Sequence, residues 1–405
     1  MYKAKKPLLS IVIPTRDREE YALSCIRALL RWKSDETEII VQDNSCNDSL
    51  KKKLSGQIDA ENIRYIHDPI RTSIIDNCDH AMLRVQGDFV TLLGDDDSLN
   101  PEILEATRWA KELGYEAILA PRAQYWWPDH LFRYGGSMNA GKLEIFKFTG
   151  RITNPKPLAE LVGCLRRAGS AFGSLPKIYY GVVRTSVMKA IYERTNTFFP
   201  GPSPDMAAAI SIATIARKVI KIDYPLFIPG SSLKSTGGMG ALKKHIGQLE
   251  DQAFLASRNV REWSELVPKY WSGTTIWAED CVQALRSLGR FHWAERNMNI
   301  SLLHGMCLCF HPSFSHVVLS NYRRLLLRRN KSLLVGYGAL AFYCVRIWGT
   351  RVRSFFSRFF YNPQLAETVR DIGNIEDASI FLEKWLSANG HCLRRFIPPH
   401  KQKSQ

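Results

Sequence analysis

Short apolar runs alternate with segments of helical period through the first 120 residues of the chain. Residues 8–13 read as a strand, 19–32 as an amphipathic helix, and 38–41 and 63–67 as two further strands. Residues 77–85 read as a helix, 89–93 as a strand, 101–113 as a helix with proline in its first turn, and 117–120 as a strand. Strands alternating with helices predict an α/β domain with a mostly parallel sheet covered by helices. Ligands of such sheets bind just beyond the strand ends, so those residues come next.

After the first strand comes Pro14-Thr-Arg-Asp-Arg18, which contains no glycine. A dinucleotide fold or a P-loop needs glycines there to bring backbone close to phosphate, so both classes are set aside. After the second strand comes Gln42-Asp-Asn-Ser-Cys-Asn-Asp48, suited either to hydrogen-bonding a base or ribose or to ordinary turns. The strongest local signal is Gly94-Asp-Asp-Asp97, directly after the apolar run 89–93. Three adjacent carboxylates repel one another, and a hard divalent cation bridging to a substrate phosphate removes that cost. Capping of the following helix accounts for one acid of the three.

Four segments, in order, resemble the family 2 glycosyltransferases of the GT-A fold. Ser10-Ile-Val-Ile-Pro-Thr-Arg-Asp-Arg18 is similar to the family's first strand and its P-T-x-N-R loop, and Ile39-Ile-Val-Gln-Asp-Asn-Ser45 to its V-D-N-S segment. Ser73-Ile-Ile-Asp-Asn77 followed by Gly87-Asp-Phe-Val90 is similar to the asparagine-bearing helix and G-D-Y-V strand, and Gly94–Asp97 stands at the D-x-D-D motif with its first acid missing. The resemblance is clear over residues 8–120, thins to about 240 and then stops. It implies a GT-A (Rossmann-like) domain over 1–240 that moves a sugar from a nucleotide-diphosphate sugar, a UDP- or dTDP-sugar, to an acceptor hydroxyl with inversion.

By the same resemblance the nucleotide sugar meets Pro14, Thr15, Arg16, Asp43, Asn44, Arg71, Asn77 and Asp95. Asp96 and Asp97 hold Mn²⁺ or Mg²⁺, with His245 as a further ligand. Arg16 replaces an aromatic and Asp17 an asparagine, so the base is left open. The catalytic base is expected on a downstream helix, and Asp205 in Pro202-Ser-Pro-Asp-Met-Ala is the candidate, since residues 151–240 hold only Glu160, Glu193 and Asp223 besides. The glycine-rich stretch 229–240 reads equally as a lid over the diphosphate or as a linker. Trp126 and Trp127 either line an acceptor site or belong to the core. The rivals are a sugar nucleotidyltransferase, which would want a glycine-rich first loop, and a catalytically idle scaffold on the same fold.

Composition sharpens the picture in the second half. The 405 residues carry 55 Lys and Arg against 39 Asp and Glu, a net charge of +16, and 45% are hydrophobic, which excludes disordered and fibrous classes. Residues 1–240 account for +5 and residues 241–405 for +11. Between Glu295 and Glu367 no acid occurs, yet arginines are threaded among apolar residues, as in Tyr322-Arg-Arg-Leu-Leu-Leu-Arg-Arg. That arrangement on helices predicts a mainly α-helical region over 241–405 that lies on an anionic membrane surface or oligomerises; a solvated helical domain is the plainer reading, and nucleic acid the least favoured. The uncharged apolar stretch 333–345 would cover about 20 Å, short of a bilayer.

Nine cysteines at irregular spacing without C-x-x-C fit neither a disulfide framework nor a zinc site. With no signal-like stretch at the N-terminus, the expected location is cytoplasmic, peripheral on the inner face of the membrane. The resemblance alone suggests a glycan or lipid-linked oligosaccharide as acceptor, in bacterial surface polysaccharide assembly.

Overall fold

The computed structural model describes residues 6–32, 34–55, 63–132, 136–235, 246–252, 255–357 and 365–398. His245 and residues 236–240 of the glycine-rich stretch lie outside them. Fourteen strands are assigned among the described residues: β1 (Leu9–Thr15), β2 (Thr37–Asp43), β3 (Ile63–His67), β4 (Phe89–Leu92), β5 (Ser98–Leu99), β6 (Ala117–Leu119), β7 (Gln124–Trp126), β8 (Lys142–Phe146), β9 (Ile152–Thr153), β10 (Gly181–Arg184), β11 (Val219–Ile222), β12 (Phe227–Ile228), β13 (Gly230–Ser231) and β14 (Leu365–Val369).

The main sheet has the order β3-β2-β1-β4-β10-β6-β11-β9. Its strands run in one direction except β10 and β9, which are antiparallel to their neighbours. The sheet is buried on both faces, which is why its strands read as unbroken apolar runs. Leu9, Ile11 and Ile13 of β1 enter one core with Ala22, Cys25, Ile26 and Leu29 of the helix Glu19–Leu30. Val12, Ile40, Val90 and Leu92 enter the other, against Ile75, Cys78 and Met82 of the helix Ile74–Met82. That helix starts three residues before the expected 77–85 because the Ser73 hydroxyl caps it, accepting from the Asp76 amide at 3.1 Å.

From β1 the chain steps to β2 on one side, while β4 lies on the other. The loops after β1 and β4 therefore leave a topological switch point side by side.

The helical part shares its core with the α/β domain. The helix Pro204–Ile215 is buried all round: Met206, Ala209, Ile210 and Ala213 face the helix Gly273–Ser287 and its neighbours, while Ala208 and Ile212 face the sheet. At its far end the chain returns to the α/β part. Strand β14 pairs antiparallel with β8 in a second sheet, β13-β7-β8-β14. The helix Ile375–Ala388 then puts Ile375, Ala378, Leu382 and Leu386 into the same core as β1. Burying three such large aliphatic side chains favours this return by on the order of 5 kcal/mol before ordering costs. Residues 365–397 thus belong structurally with the first domain.

The helix Leu333–Ser357 continues through Arg346, Arg351 and Arg353, well beyond the uncharged stretch 333–345. Its segment Leu333–Ser354 is by length and composition able to cross a membrane. One flank packs on the helix Ile300–Phe310, with Leu340 and Ile347 buried and Gly305 close to Tyr343.

Candidate functional site

The loops after β1 and β4 meet through charged groups. Thr15 Oγ1 donates to Asp95 Oδ2 at 2.6 Å. Arg18 reaches both carboxylates, Nη1 lying 2.8 Å from Asp95 Oδ1 and Nη2 2.8 Å from Asp96 Oδ2. Nη2 also donates to Ser232 Oγ at 2.6 Å, and the ring of Tyr21 lies 5.0 Å from the guanidinium carbon. Burial opposes the Arg18 charge, but Asp95 and Asp96 outweigh it and hold the guanidinium protonated above its ordinary range. Burial pushes the Asp95 carboxyl up to about 6, with Arg18 pulling against it and Asp96 adding to it.

Ser232 donates to Asp96 Oδ2 from its hydroxyl at 2.6 Å and its amide at 3.3 Å. All three protein contacts to this carboxylate fall on Oδ2, so among the described residues Oδ1 is unclaimed. The first half of the glycine-rich stretch is therefore part of the site, seated on the acids. Gly230 is required there, because a Cβ would stand 1.8 Å from the Asp96 carbonyl oxygen.

Asp97, expected as a second metal ligand, is turned into the protein instead. Its Oδ2 accepts from the Gly94 amide at 2.9 Å and from Tyr179 Oη at 3.0 Å. Its Oδ1 accepts from the Gly230 amide at 2.7 Å and from Tyr180 Oη at 3.2 Å. Burial and the charge of Asp96 push this carboxyl up to about 8. It does not cap the next helix, Ile103–Glu112, where Asn100 Oδ1 takes the Glu102 amide at 3.0 Å. Among the described residues no three His, Cys, Asp or Glu side chains converge as a metal cage. The donor set fits a hard cation held by one or two carboxylates and substrate oxygens, and not an all-protein site.

The expected nucleotide contacts divide. Asn44 spends all its hydrogen-bonding capacity on the loop after β3: Nδ2 donates to the Asp68 and Ile70 carbonyls at 2.7 and 2.6 Å, and Oδ1 accepts from the Thr72 amide and hydroxyl. It shapes the loop and has nothing left for a base. Asp43 accepts from the Ser45 amide and from Tyr65 Oη, with lone pairs to spare. Asn77 Oδ1 and Gln42 Oε1 are buried acceptors with no partner among the described residues. Pro14 and Arg16 are half-buried at the end of β1 and Arg71 is exposed in the loop 68–73. Asp17 has φ +52°, a left-handed conformation that Asn and Asp tolerate best, and its carboxylate accepts from the Cys46 amide. This conformation explains how an aspartate serves where the resemblance expects asparagine.

Asp205 sits in the first turn of Pro204–Ile215, at the seam between the sheet and the helical part. It is half-buried, and its Oδ1 accepts from Ser203 Oγ at 2.5 Å and from the Met206 amide at 2.8 Å. Lys177 faces it electrostatically from the segment that carries Tyr179 and Tyr180, so this segment runs between Asp97 and Asp205. Burial, with Arg122 and Lys221 nearby, lowers the Lys177 ammonium to about 8. Arg18, Ser232, Tyr179 and Tyr180 were not named individually from sequence; Arg18, inside the P-T-x-N-R resemblance, and Ser232, inside the glycine-rich stretch 229–240, carried a signal, and the two tyrosines carried none. Trp127 is core, its Nε1 donating to the Asp96 carbonyl at 3.0 Å, while half-buried Trp126 lies under Lys142.

Residues 10–166 match the family described as Glycosyl transferase family 2. A protein of Escherichia coli (strain K12), named as a colanic acid biosynthesis glycosyl transferase, WcaA, is 33% identical over 101 residues, 24% of this chain and 36% of the relative. The GalNAc(5)-diNAcBac-PP-undecaprenol beta-1,3-glucosyltransferase of Campylobacter jejuni subsp. jejuni serotype O:2 is 28% identical over 114 residues, 28% of this chain and 37% of the relative. The matched segment thus spans about a third of these curated relatives. A crystal structure of S. aureus TarS 1-349 in complex with UDP-GlcNAc is similar over 80% of this chain and 93% of that one, with 16% identity and a TM-score of 0.46.

Proposed function

We propose that this protein is an inverting glycosyltransferase that moves a sugar from a UDP- or dTDP-sugar to an acceptor hydroxyl. The observation that carries the reading is the pair of buried carboxylates, Asp95 and Asp96, bridged by Arg18 at the switch point between β1 and β4. A nucleotide-diphosphate sugar leaves slowly until its diphosphate charge is offset, and this is where such a group would lie. Mn²⁺ or Mg²⁺, held by Asp96 beside Asp95, would supply Lewis-acid neutralisation of that leaving group. Arg18 adds fixed positive charge on the same side. Asp205 accepts the proton of the acceptor hydroxyl as that oxygen attacks the anomeric carbon, and a single displacement inverts it.

The family 2 match over residues 10–166 supports the reaction class. The acceptor we favour is a glycan or a lipid-linked oligosaccharide of bacterial surface polysaccharide assembly; the Campylobacter relative is named for a PP-undecaprenol substrate. A peripheral seat on the inner face of the membrane goes with that acceptor. The helix Leu333–Ser357 supports it, because Leu334, Val335, Phe342, Val345, Trp348 and Val352 lie exposed along one side.

The test is binding and turnover of labelled UDP- and dTDP-sugars with Mn²⁺. Saturable binding that is lost in Asp96→Ala supports the transferase. Absence of nucleotide-sugar binding at any metal concentration overturns it, and release of pyrophosphate from a sugar phosphate and a nucleoside triphosphate would make it a nucleotidyltransferase.

A further inference from the structure

Asp280, on the helix Gly273–Ser287 of the helical part, is fully buried, and among the described residues no Lys or Arg forms an ion pair with it. Both its oxygens are turned on Ser203: Oδ1 accepts from the Ser203 amide at 2.8 Å, and Oδ2 lies 2.5 Å from Ser203 Oγ. The same hydroxyl lies 2.5 Å from Asp205 Oδ1. Ser203 occupies the N-cap of Pro204–Ile215, yet its side chain makes no cap bond. A serine there ordinarily accepts from an amide one turn on. Here the hydroxyl is diverted to stand between two carboxyl groups.

Proton counting gives this chain a direction. A serine hydroxyl has one proton and can donate to only one of two carboxylate oxygens. Two short contacts on one hydroxyl oxygen therefore require a proton on one carboxyl group. Asp280 is sealed from solvent and Asp205 is half-exposed, so the neutral partner is Asp280. Burial and the charge of Asp205 raise the Asp280 carboxyl well above its ordinary range, in the same sense.

We propose that neutral Asp280 is a positioning residue for the base: it donates to Ser203 Oγ, which donates to Asp205 Oδ1 and leaves Asp205 Oδ2 for the acceptor hydroxyl. The inference rests on the reading of Asp205 as base. Among the described residues both hydrogen bonds to Asp205 fall on Oδ1, so the carboxylate is fixed in rotation and Oδ2 takes none of them. Gly201 belongs to the arrangement, since a Cβ there would stand 2.6 Å from Asp280 Oδ1. The helical part thereby supplies a group that the α/β domain lacks.

The experiment measures release of nucleoside diphosphate from the tightest-binding UDP- or dTDP-hexose, with kcat and donor KM separated, in Asp205→Asn, Ser203→Ala, Asp280→Ala and Asp280→Asn. Ser203→Ala and Asp280→Ala are each expected to lower kcat about 10- to 100-fold at unchanged donor KM, and their combination to add little. Asp280→Asn, a neutral donor of the same shape, is expected to restore kcat to within about three-fold. Should Asp280→Ala fail to fold, Ser203→Ala and Asp280→Asn carry the test. Wild-type kcat in Ser203→Ala while Asp205→Asn is inactive overturns the positioning role alone, as does an Asp280→Asn no better than Asp280→Ala. Full turnover in Asp205→Asn removes the base reading itself.

Discussion

Arg18 and Asp96 form a buried ion pair at 2.8 Å, and the other arm of the same guanidinium lies 2.8 Å from Asp95. Two neighbouring buried carboxylates need a positive charge, and the protein provides one of its own. Arg18→Ala leaves both acids uncompensated and is expected to cost about 3 kcal/mol or more, read as a lowered unfolding midpoint. Mn²⁺ should then raise the unfolding temperature of Arg18→Ala more than that of the unaltered protein, because the cation meets an unneutralised pair. Equal shifts in the two proteins would mean that the cation does not bind at these acids.

Asp205→Asn is expected to keep donor affinity within about two-fold and to lose 10²- to 10⁴-fold in kcat, the usual range for a general base. Isothermal titration with UDP- and dTDP-sugars, set beside single-turnover rates, separates the two. Loss of affinity in proportion to loss of rate would make Asp205 a structural acid at its helix terminus.

Asp97→Asn tests a different role on the neighbouring residue. Each Asp97 oxygen accepts a backbone amide, from Gly94 and from Gly230. An asparagine must turn its NH₂ toward one of these donors, leaving a buried amide unpaired at about 1–3 kcal/mol. The variant should unfold at lower temperature while Mn²⁺ affinity in the folded protein stays the same. A ten-fold weaker metal affinity would return Asp97 to the ligand set.

The parts of this site that were legible are those whose signal is local. Unbroken apolar runs marked β1 and β4 because both faces of the sheet are buried; Thr15 is the last residue of β1, and Asp95 and Asp96 come just after β4. Asp97 shows the limit, since adjacency in sequence does not say which way a side chain turns. Ser232 and Asp280 come from 136 and 77 residues beyond their partners Asp96 and Ser203, and no periodicity encodes such contacts. The return of residues 365–397 was hidden for another reason. Strand β14 is an edge strand of alternating half-buried and exposed residues, Leu365-Ala-Glu-Thr-Val369, too short and polar to stand out from helical surroundings.

Glu279, next to Asp280, gives a pH dependence of unusual sign. Its Oε1 accepts from the Ser264 amide and Gln283 Nε2, both at 2.8 Å, and Oε2 is buried without a partner among the described residues. Burial pushes the carboxyl up to about 8, against the pull of those donors and the more distant Arg286. The folded state thus binds the proton more tightly than the unfolded state, where the value is near 4.5. Stability from this group is complete below about 4.5 and falls as pH rises to 8, at up to about 1.4 kcal/mol per pH unit. Glu279→Gln should flatten that part of the stability profile, measured by denaturant unfolding between pH 5 and 8.5. An unchanged slope would show that the carboxyl finds a compensating partner.

The helix Leu333–Ser357 separates a membrane seat from a merely solvated face. Phe342 and Trp348 are exposed at 60% and 52%, and both stand on the side that carries Leu334, Val345 and Val352. Arg351 lies over Trp348 at 4.6 Å and over Phe310 at 5.1 Å, holding a cation beside the apolar strip. Inserting two large side chains part-way into an interface contributes about 2–3 kcal/mol, and each nearby arginine about 1 kcal/mol on an anionic leaflet. The double variant Phe342→Ser, Trp348→Ser should therefore lose 10- to 100-fold in partition to vesicles of phosphatidylglycerol and phosphatidylcholine, with its unfolding temperature little changed. The unaltered protein should also bind less as salt rises from 0.05 to 0.5 M, since the arginine contribution is screened. Binding indifferent to both would place this face against another protein surface, and a second copy of the chain would then show as a larger mass in light scattering.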